Sequence, residues 1–186
     1  MEIEDLGLPG VKLIAPAVFR DARGSFSETW NRKRLADAGI DLDFVQDNQS
    51  VSVAPGTIRG LHFQSPPHAQ DKLVRCTRGR IWDVAVDIRK GSPTYGSWVG
   101  AELCPENGQQ ILVPRGFLHG FVTLEPDTEV LYKCTDTYAP DCDGAVLWSS
   151  CGIAWPFRGA PVLSAKDAAA RPFAEFDSPF TWERPQ

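Results

Sequence analysis

The chain has three histidines, and one of them, His62, lies in the largely apolar segment RGLHFQ. Imidazole has an unperturbed pKa of about 6.5, so a histidine can take up a proton near neutral pH. An isolated histidine is nevertheless more often a hydrogen-bonded structural residue, and its position alone does not decide between the two roles. In a regular strand Arg59 and His62 face opposite ways, so they can share a pocket only if the strand is bulged, which Gly60 would permit.

Three other residues have side chains that suit proton transfer or charge stabilisation. Lys72 begins the segment KLVR, and Tyr132 lies in VLYKC, where alternation places it on one face with Val130 and Cys134. A strand-end lysine is usually solvated and a tyrosine among apolar residues is usually part of the core, so each alone indicates little. His119 follows a turn in VPRGFLHGF and is equally compatible with a structural and a ligand-binding role.

The histidines do not have metal-site spacing. A catalytic zinc or iron site commonly has about three protein ligands, whereas His62 and His119 are far apart in sequence, His68 lies in the turn-like PPHAQ, and no HxH occurs. We therefore expect a protein without metal or other cofactor. No GxGxxG, P-loop or GxSxG segment occurs either, so the sequence gives no sign of a dinucleotide fold, an NTPase or a serine hydrolase.

The composition is that of one ordinary globular domain. The chain has 186 residues with a formal net charge of −5, which argues against general nucleic-acid or membrane-surface binding but permits a local basic pocket for an anionic ligand. The five cysteines are widely spaced without a CxxC pair, so we expect reduced thiols. The first ten residues, MEIEDLGLPG, contain no apolar signal core, and a cytoplasmic location is expected.

The elements that would position these side chains are mostly strands. Period-two alternation is clearest from Ile81 to Ile88, which predicts a half-buried strand, and weaker strand-like runs cover residues 25–30, 44–53, 72–77, 97–103, 109–113, 120–124 and 128–138. Short helices are predicted after Asn31 and Ser164, which can act as N-caps. The pattern favours an antiparallel β-sandwich or barrel with a ligand-binding mouth, and a short appendage, residues 161–186, that packs on it.

Several motifs occur in an order that resembles a known family. They are FRDARGSFSETW, FVQDNQSVS, IRGLHFQ, KLVRCTRGRIWDVAVDIRKGSPTYGSW, ILVPRGFLHGF, LYKCTDTYAP and LSAKD. Together they resemble the dTDP-4-dehydrorhamnose 3,5-epimerases over about residues 11–180. The resemblance implies an all-β, cupin-type jelly-roll barrel, a homodimer, catalysis without metal, and a place in dTDP-L-rhamnose synthesis.

The resemblance also implies roles for individual residues. His62 would be the general base, Tyr132 the proton donor and Asp167 the partner of the histidine, with Lys72 as a further catalytic residue. Contacts with the nucleotide sugar would come from Arg23, Glu28, Gln46, Asn48, Arg59, His119 and Lys166, and Tyr138 would stack on the thymine. Asp143 is also a predicted contact, although the family pattern has a glutamate shortly after YAP where this chain has DCDGAV.

The implied reaction is compatible with these side chains. A ketone at C4 of the sugar makes the hydrogens at C3 and C5 acidic, so a base on one face and an acid on the other can invert either carbon through an enolate. Two alternatives remain open from the sequence: a single-carbon epimerase or ketoisomerase acting on a related dTDP-4-keto sugar, and a catalytically silent barrel that binds sugar nucleotides.

Overall fold

The computed structural model describes residues 1–183, and its dominant elements are antiparallel strands. The strands are β1 (Glu2–Asp5), β2 (Lys12–Ala15), β3 (Val18–Asp21), β4 (Gly24–Ser27), β5 (Gln46–Ser52), β6 (Ile58–Gln64), β7 (Lys72–Arg78), β8 (Ile81–Asp87), β9 (Trp98–Leu103), β10 (Gln110–Val113), β11 (Phe117–Thr123), β12 (Thr128–Cys134) and β13 (Asp143–Ala145). Helices α1 (Arg32–Asp37) and α2 (Ala165–Ala168) are short, as are two 3₁₀ turns at Pro140–Cys142 and Phe173–Glu175.

Eleven of the thirteen strands form two large sheets that pack face to face, and β3 and β4 form a separate two-stranded sheet. One has six strands in the order β1-β2-β10-β7-β12-β5, and the other has five in the order β13-β6-β11-β8-β9. Between them lies an apolar core that includes Val74, Ile111 and Val130 from the first sheet and Ala85 and Phe121 from the second. The predicted all-β class and the cupin-type jelly roll are confirmed.

Both sheets are also covered on their outer faces. On the six-stranded sheet, Ile14, Leu73 and Leu112 pack against Leu35 of α1 and against Ile40. On the five-stranded sheet, an apolar cluster joins the strands to the C-terminal part of the chain; its members include Leu61, Val84, Leu118, Val146 and Phe180. Residues after Pro161 also pair with the body of the fold through the parallel bridges Thr57–Val162 and Lys90–Thr181.

This second covering layer makes one prediction wrong. Strand β8 is buried on both faces, whereas alternation predicted a half-buried strand, and its carboxylates Asp83 and Asp87 are fully buried. Each is compensated: Asp83 pairs with His119, and Asp87 accepts hydrogen bonds from Arg89 and from the hydroxyl of Ser92. The alternation predicted that these aspartates face solvent, but each faces a buried hydrogen-bond partner instead.

The predicted helix starts are confirmed. The Asn31 side chain accepts a hydrogen bond from the backbone N–H of Arg34, and Ser164 accepts one from the backbone N–H of Asp167. The strand predicted for residues 128–138 ends at Cys134, four residues early. All five cysteines are free thiols, as expected. None of the helices among residues 1–183 is long and apolar enough to cross a membrane.

Candidate active site

A cavity of about 360 Å³ lies between the two sheets and contains the four residues expected to carry catalysis. The six-stranded sheet contributes Lys72 and Tyr132, the five-stranded sheet contributes His62, and α2 contributes Asp167. The cavity is completed by Arg59, His119, Ser50, Thr57, Ile58, Phe121, Val162, Leu163 and Ser164. The imidazole of His62 and the phenol of Tyr132 therefore enter one compartment from opposing sheets.

A bulge in β6 places Arg59 and His62 in the same cavity. His62 pairs with His119 and Arg59 pairs with Phe121, so β6 has one more residue than β11 between these two pairs. The extra residue interrupts strict alternation, so Arg59 and His62 can face the same pocket, as expected for a bulged strand. Gly60, at φ +132°, lies at this point, and a Cβ there would be 2.6 Å from the Cα of Gly120. Only a residue without a side chain fits this close approach.

His62 and Asp167 form a close pair. The Nε2 atom of His62 lies 2.5 Å from Oδ1 of Asp167, whose side chain is 4% exposed. Burial alone would raise the pKa of Asp167, but the hydrogen bond and charge of His62, with hydrogen bonds from Ser164 and the backbone of Gly60, bring this pKa below its usual value. Asp167 is therefore an anion that faces the imidazole, and when the imidazole is neutral its Nε2–H donates to this carboxylate, which leaves the lone pair on Nδ1.

Tyr132 and Lys72 have pKa values shifted mainly by burial. Burial raises the pKa of Tyr132, and the nearby Arg59 opposes this only in part, so its phenol keeps its proton at neutral pH. Burial lowers the pKa of Lys72, partly offset by the charges of Asp143 and Asp83. The cavity thus holds a protonated phenol and a lysine whose charged form is destabilised by its loss of solvent.

The second histidine of the cavity is held by a buried carboxylate. Nε2 of His119 lies 3.0 Å from both oxygens of Asp83, and burial raises the pKa of that carboxyl group despite the charge of His119. Although His62 and His119 are far apart in sequence, they are direct partners across β6 and β11. Within residues 1–183, no three His, Cys, Asp or Glu side chains are grouped so that they could hold a metal ion.

Strand β5 presents a row of polar side chains to the interior of the barrel. Gln46, Asn48, Ser50 and Ser52 alternate with more exposed residues. Gln46 donates to Asn48 and accepts from the backbone N–H of Tyr138, whereas Ser52 accepts from Nε of Arg59. The predicted contacts Gln46 and Asn48 are thereby connected at one end of the row to the segment that carries Tyr138.

Three further predicted contacts form a second polar cluster. The carboxylate of Asp143 accepts hydrogen bonds from the hydroxyl of Tyr138 and from the ammonium of Lys166. Asp143 and Lys166 are also close enough to Lys72 to influence its pKa, so the cluster adjoins the cavity. Tyr138 is 59% exposed.

Two predicted contacts lie away from the cavity. Arg23, at the turn between β3 and β4, pairs with Asp21 at 2.6 Å, and its side chain is 91% exposed. Glu28 pairs with Arg34 of α1. Within a single chain the fold does not bring either residue to His62.

Some residues of the site were not found by sequence reasoning. Asp83 was overlooked because its strand appeared amphipathic, and Gly120 because nothing in the sequence shows which strand faces Gly60. The polar row of β5 could have been predicted, because the period-two pattern of QDNQSVS places Ser50 and Ser52 on the same face as the predicted contacts Gln46 and Asn48.

In chemical terms the cavity combines a base, an acid and cations without any arranged metal ligands. An imidazole oriented by a carboxylate can take a proton from carbon, and a protonated phenol on the opposing sheet can return one. Lys72 and Arg59 can stabilise negative charge on oxygen or phosphate. These features suit proton transfer at a carbon next to a carbonyl group.

Comparisons with known proteins agree with this chemistry. A family model described as dTDP-4-dehydrorhamnose 3,5-epimerase matches residues 5–175. The dTDP-4-dehydrorhamnose 3,5-epimerase of Sinorhizobium fredii is 50% identical over 98% of this chain and 94% of its own length.

Solved structures of sugar-nucleotide epimerases share the fold of this chain. The dTDP-6-deoxy-D-glucose-3,5-epimerase of Legionella pneumophila, in complex with dTDP-4-keto-L-rhamnose, has a TM-score of 0.94 and 40% identity, with coverage of 98% of this chain and 99% of that chain. A 3'-monoepimerase of Streptomyces bikiniensis in complex with dTDP-quinovose has a TM-score of 0.86 and 33% identity, with coverage of 91% and 86%.

Proposed function

The chain belongs to the dTDP-4-dehydrorhamnose 3,5-epimerase family, and from this premise we propose that it converts dTDP-4-keto-6-deoxy-D-glucose into dTDP-4-keto-L-rhamnose. The conversion inverts C3 and C5 of the sugar and belongs to dTDP-rhamnose biosynthesis. The observation that carries the proposal is the pairing of His62 with the buried Asp167 in a cavity that Tyr132 enters from the other sheet.

In this mechanism His62 removes the proton from carbon. Asp167 accepts the hydrogen bond from Nε2, so it fixes the imidazole tautomer and leaves Nδ1 as the base. When Nδ1 takes the proton, the imidazolium is stabilised by the carboxylate of Asp167, which is already ionised. A positioned base of this kind contributes about 10²- to 10⁴-fold in rate.

Tyr132 and Lys72 act on the opposite face and on the oxygen. Loss of a proton from C3 or C5 puts negative charge on the C4 oxygen, which the ammonium of Lys72 stabilises electrostatically. Tyr132, kept protonated by burial, then gives its proton to the other face of the carbon, and the configuration is inverted. Each inversion exchanges one carbon-bound hydrogen without transfer of electrons; the imidazolium of His62 then releases its proton to water and the phenolate of Tyr132 takes one up, which restores both groups for the second carbon.

The nucleotide end is held by the polar residues around the cavity. We assign the diphosphate to Arg59, whose guanidinium is a planar fork of donors. Tyr138 stacks on the thymine with its exposed face, and Gln46, Asn48, His119 and Lys166 supply further hydrogen bonds. Asp143 orients Tyr138 and Lys166 through its two hydrogen bonds.

The functional unit is a homodimer, in which the partner supplies Arg23 and Glu28. Two observations support this proposal: these residues lie away from His62 within one chain, and the β3–β4 hairpin that carries Arg23 exposes apolar side chains. Phe19 and Phe26 are direct cross-strand partners and are 63% and 69% exposed. A second copy of the chain would cover this apolar pair and bring one cation, Arg23, and one carboxylate, Glu28, to the ligand.

A single-carbon epimerase is the second candidate, because a 3'-monoepimerase shares the fold at 33% identity. Incubation with dTDP-4-keto-6-deoxyglucose in deuterated water separates the candidates. We expect deuterium at both C3 and C5, detected by NMR and mass spectrometry of the recovered sugar. Deuterium at one carbon only would identify the single-carbon enzyme, and none at either carbon would reject both.

His62→Ala provides the test of the base. The variant should bind dTDP as wild type does but incorporate deuterium at least 100-fold more slowly, because the cavity has lost its proton acceptor. His68→Ala is the matched control, since His68 lies outside the cavity in an exposed pair with Asp136. Exchange by His62→Ala at a rate close to that of wild type would exclude His62 as the base.

A further inference from the structure

Ser50 has a buried hydroxyl group without a hydrogen-bond partner in the wall of the cavity. Among residues 1–183 only three buried side-chain polar atoms have no partner: Oγ of Ser50, Nε1 of Trp30 and Nε1 of Trp82. The two indoles belong to the outer apolar clusters, whereas Ser50 lines the cavity together with His62, Lys72 and Tyr132. Ser50 is therefore the member of this group that faces the proposed reaction site.

The direction of the Ser50 side chain follows from strand register. Ser50 lies directly opposite Val130 on β12, and residues directly opposite in an antiparallel pair share a face. Val130 belongs to the core between the sheets, so the hydroxyl of Ser50 also points inward. Two residues further along β12, Tyr132 lies on the same face.

The other members of the polar row on β5 already have partners. Gln46 bonds to Asn48 and Tyr138, Asn48 contacts Sγ of Cys134, and Ser52 accepts from Arg59. A serine hydroxyl has one donor and two acceptor positions, and leaving them unused in a buried place costs stability. Buried polar atoms without partners are rare in folded proteins, so a ligand that supplies the partner is the simplest reason for this one.

We infer that Ser50 is a sugar-contacting residue whose hydroxyl hydrogen-bonds to an oxygen of the hexose ring. The sugar, rather than the nucleotide, is assigned to it because the residues around it in the cavity are those proposed to transfer protons at the sugar carbons. The inference rests on the proposed function and extends it by one residue. Ser50 thereby selects and positions an oxygenated ring between His62 and Tyr132.

Binding measurements test this inference without turnover. In the His62→Ala background, Ser50→Ala should weaken the binding of dTDP-4-keto-6-deoxyglucose about 3- to 10-fold, the effect of one neutral hydrogen bond. Binding of dTDP, which lacks the sugar, should stay within 2-fold. Isothermal titration calorimetry with both ligands gives the two constants.

Thermal unfolding without ligand distinguishes a ligand-binding role from a structural one. Ser50→Ala removes a hydroxyl group that has no partner, so the midpoint should not fall. Ser92→Ala is the contrasting control, because its hydroxyl group donates to the buried Asp87 outside the cavity. That variant should unfold at a lower temperature and bind the sugar nucleotide as before.

The inference is overturned if Ser50→Ala binds the sugar nucleotide as tightly as its parent, or if it loses affinity for dTDP and for the sugar nucleotide equally. Failure of the proposed function gives a different result: wild-type protein would then place no deuterium on C3 or C5, whatever the two binding constants are. The two hypotheses are thus tested by separate readouts.

Discussion

Replacement of Asp167 by asparagine is the most direct test of how the His62 base works. The carboxylate is 2.5 Å from Nε2 of His62 and its side chain is 4% exposed, so an amide of nearly the same shape fits the same space. Asp167→Asn removes the negative charge that stabilises the imidazolium once Nδ1 has taken a proton. It also allows the amide N–H₂ to donate to Nε2, which would put the imidazole proton on Nδ1 and block the base.

The expected loss can be worked out from this one hydrogen bond. A hydrogen bond to a charged group contributes about 1.5–3 kcal/mol net, and about 1.36 kcal/mol corresponds to a tenfold change in rate. Loss of the charge alone should therefore lower kcat about 10- to 150-fold. KM should stay within about 2-fold, because the carboxylate is occupied by His62 and is not assigned a contact with the ligand.

The assay is the steady-state rate of deuterium incorporation, combined with calorimetric binding of dTDP. Asp136→Asn is a matched control, since Asp136 pairs with His68 at 3.2 Å in an exposed position outside the cavity. The reasoning is refuted if Asp167→Asn keeps more than a third of the wild-type kcat, or if its loss is entirely in KM.

Two other predictions concern the cavity cation and the dimer. Lys72→Met should lower kcat at least tenfold yet raise the unfolding temperature at pH 7. The pKa of Lys72 is lower in the folded state than in the unfolded state, so the buried charge destabilises the folded protein at low pH. This destabilisation disappears as the pH rises through the folded-state pKa toward the unfolded value of 10.5. A fall in the midpoint, followed by differential scanning calorimetry from pH 6 to 10, would contradict this. Mixing and refolding Arg23→Ala with His62→Ala should restore activity, because the hybrid dimer has one site with both residues intact, and no recovery would place Arg23 in its own chain's site.

The fold class could be predicted from the sequence because strands and helix starts leave signals in neighbouring residues. Alternation located most strands to within a few residues, and Asn31 and Ser164 identified both helices through their capping hydroxyl or amide groups. The errors have a non-local origin. Asp83 lies at a position that alternation predicts to be polar, but only the strand pairing shows that the polar neighbour is His119 rather than water.

The candidate site was predicted in part: its main residues were identified, but some of their surroundings were not. Motif resemblance identified His62, Lys72, Tyr132 and Asp167, and all four line one cavity. The roles assigned to them stay predictions until the variants are measured. Neither the unsatisfied hydroxyl group of Ser50 nor the distance of Arg23 from the cavity could be predicted, because both depend on which elements meet across the barrel.

The glycine pair at the bulge limits how this site can change during evolution or engineering. A Cβ on Gly60 would meet the Cα of Gly120 at 2.6 Å, and a Cβ on Gly120 would meet the carbonyl oxygen of Arg59 at 2.9 Å. The backbone of each strand thus excludes a side chain at the facing glycine, and a substitution at one glycine does not make room for a side chain at the other. Directed evolution aimed at new sugar substrates would do better to randomise the cavity wall formed by Thr57, Val162 and Leu163 than this close backbone contact, where accepted mutations should be almost absent.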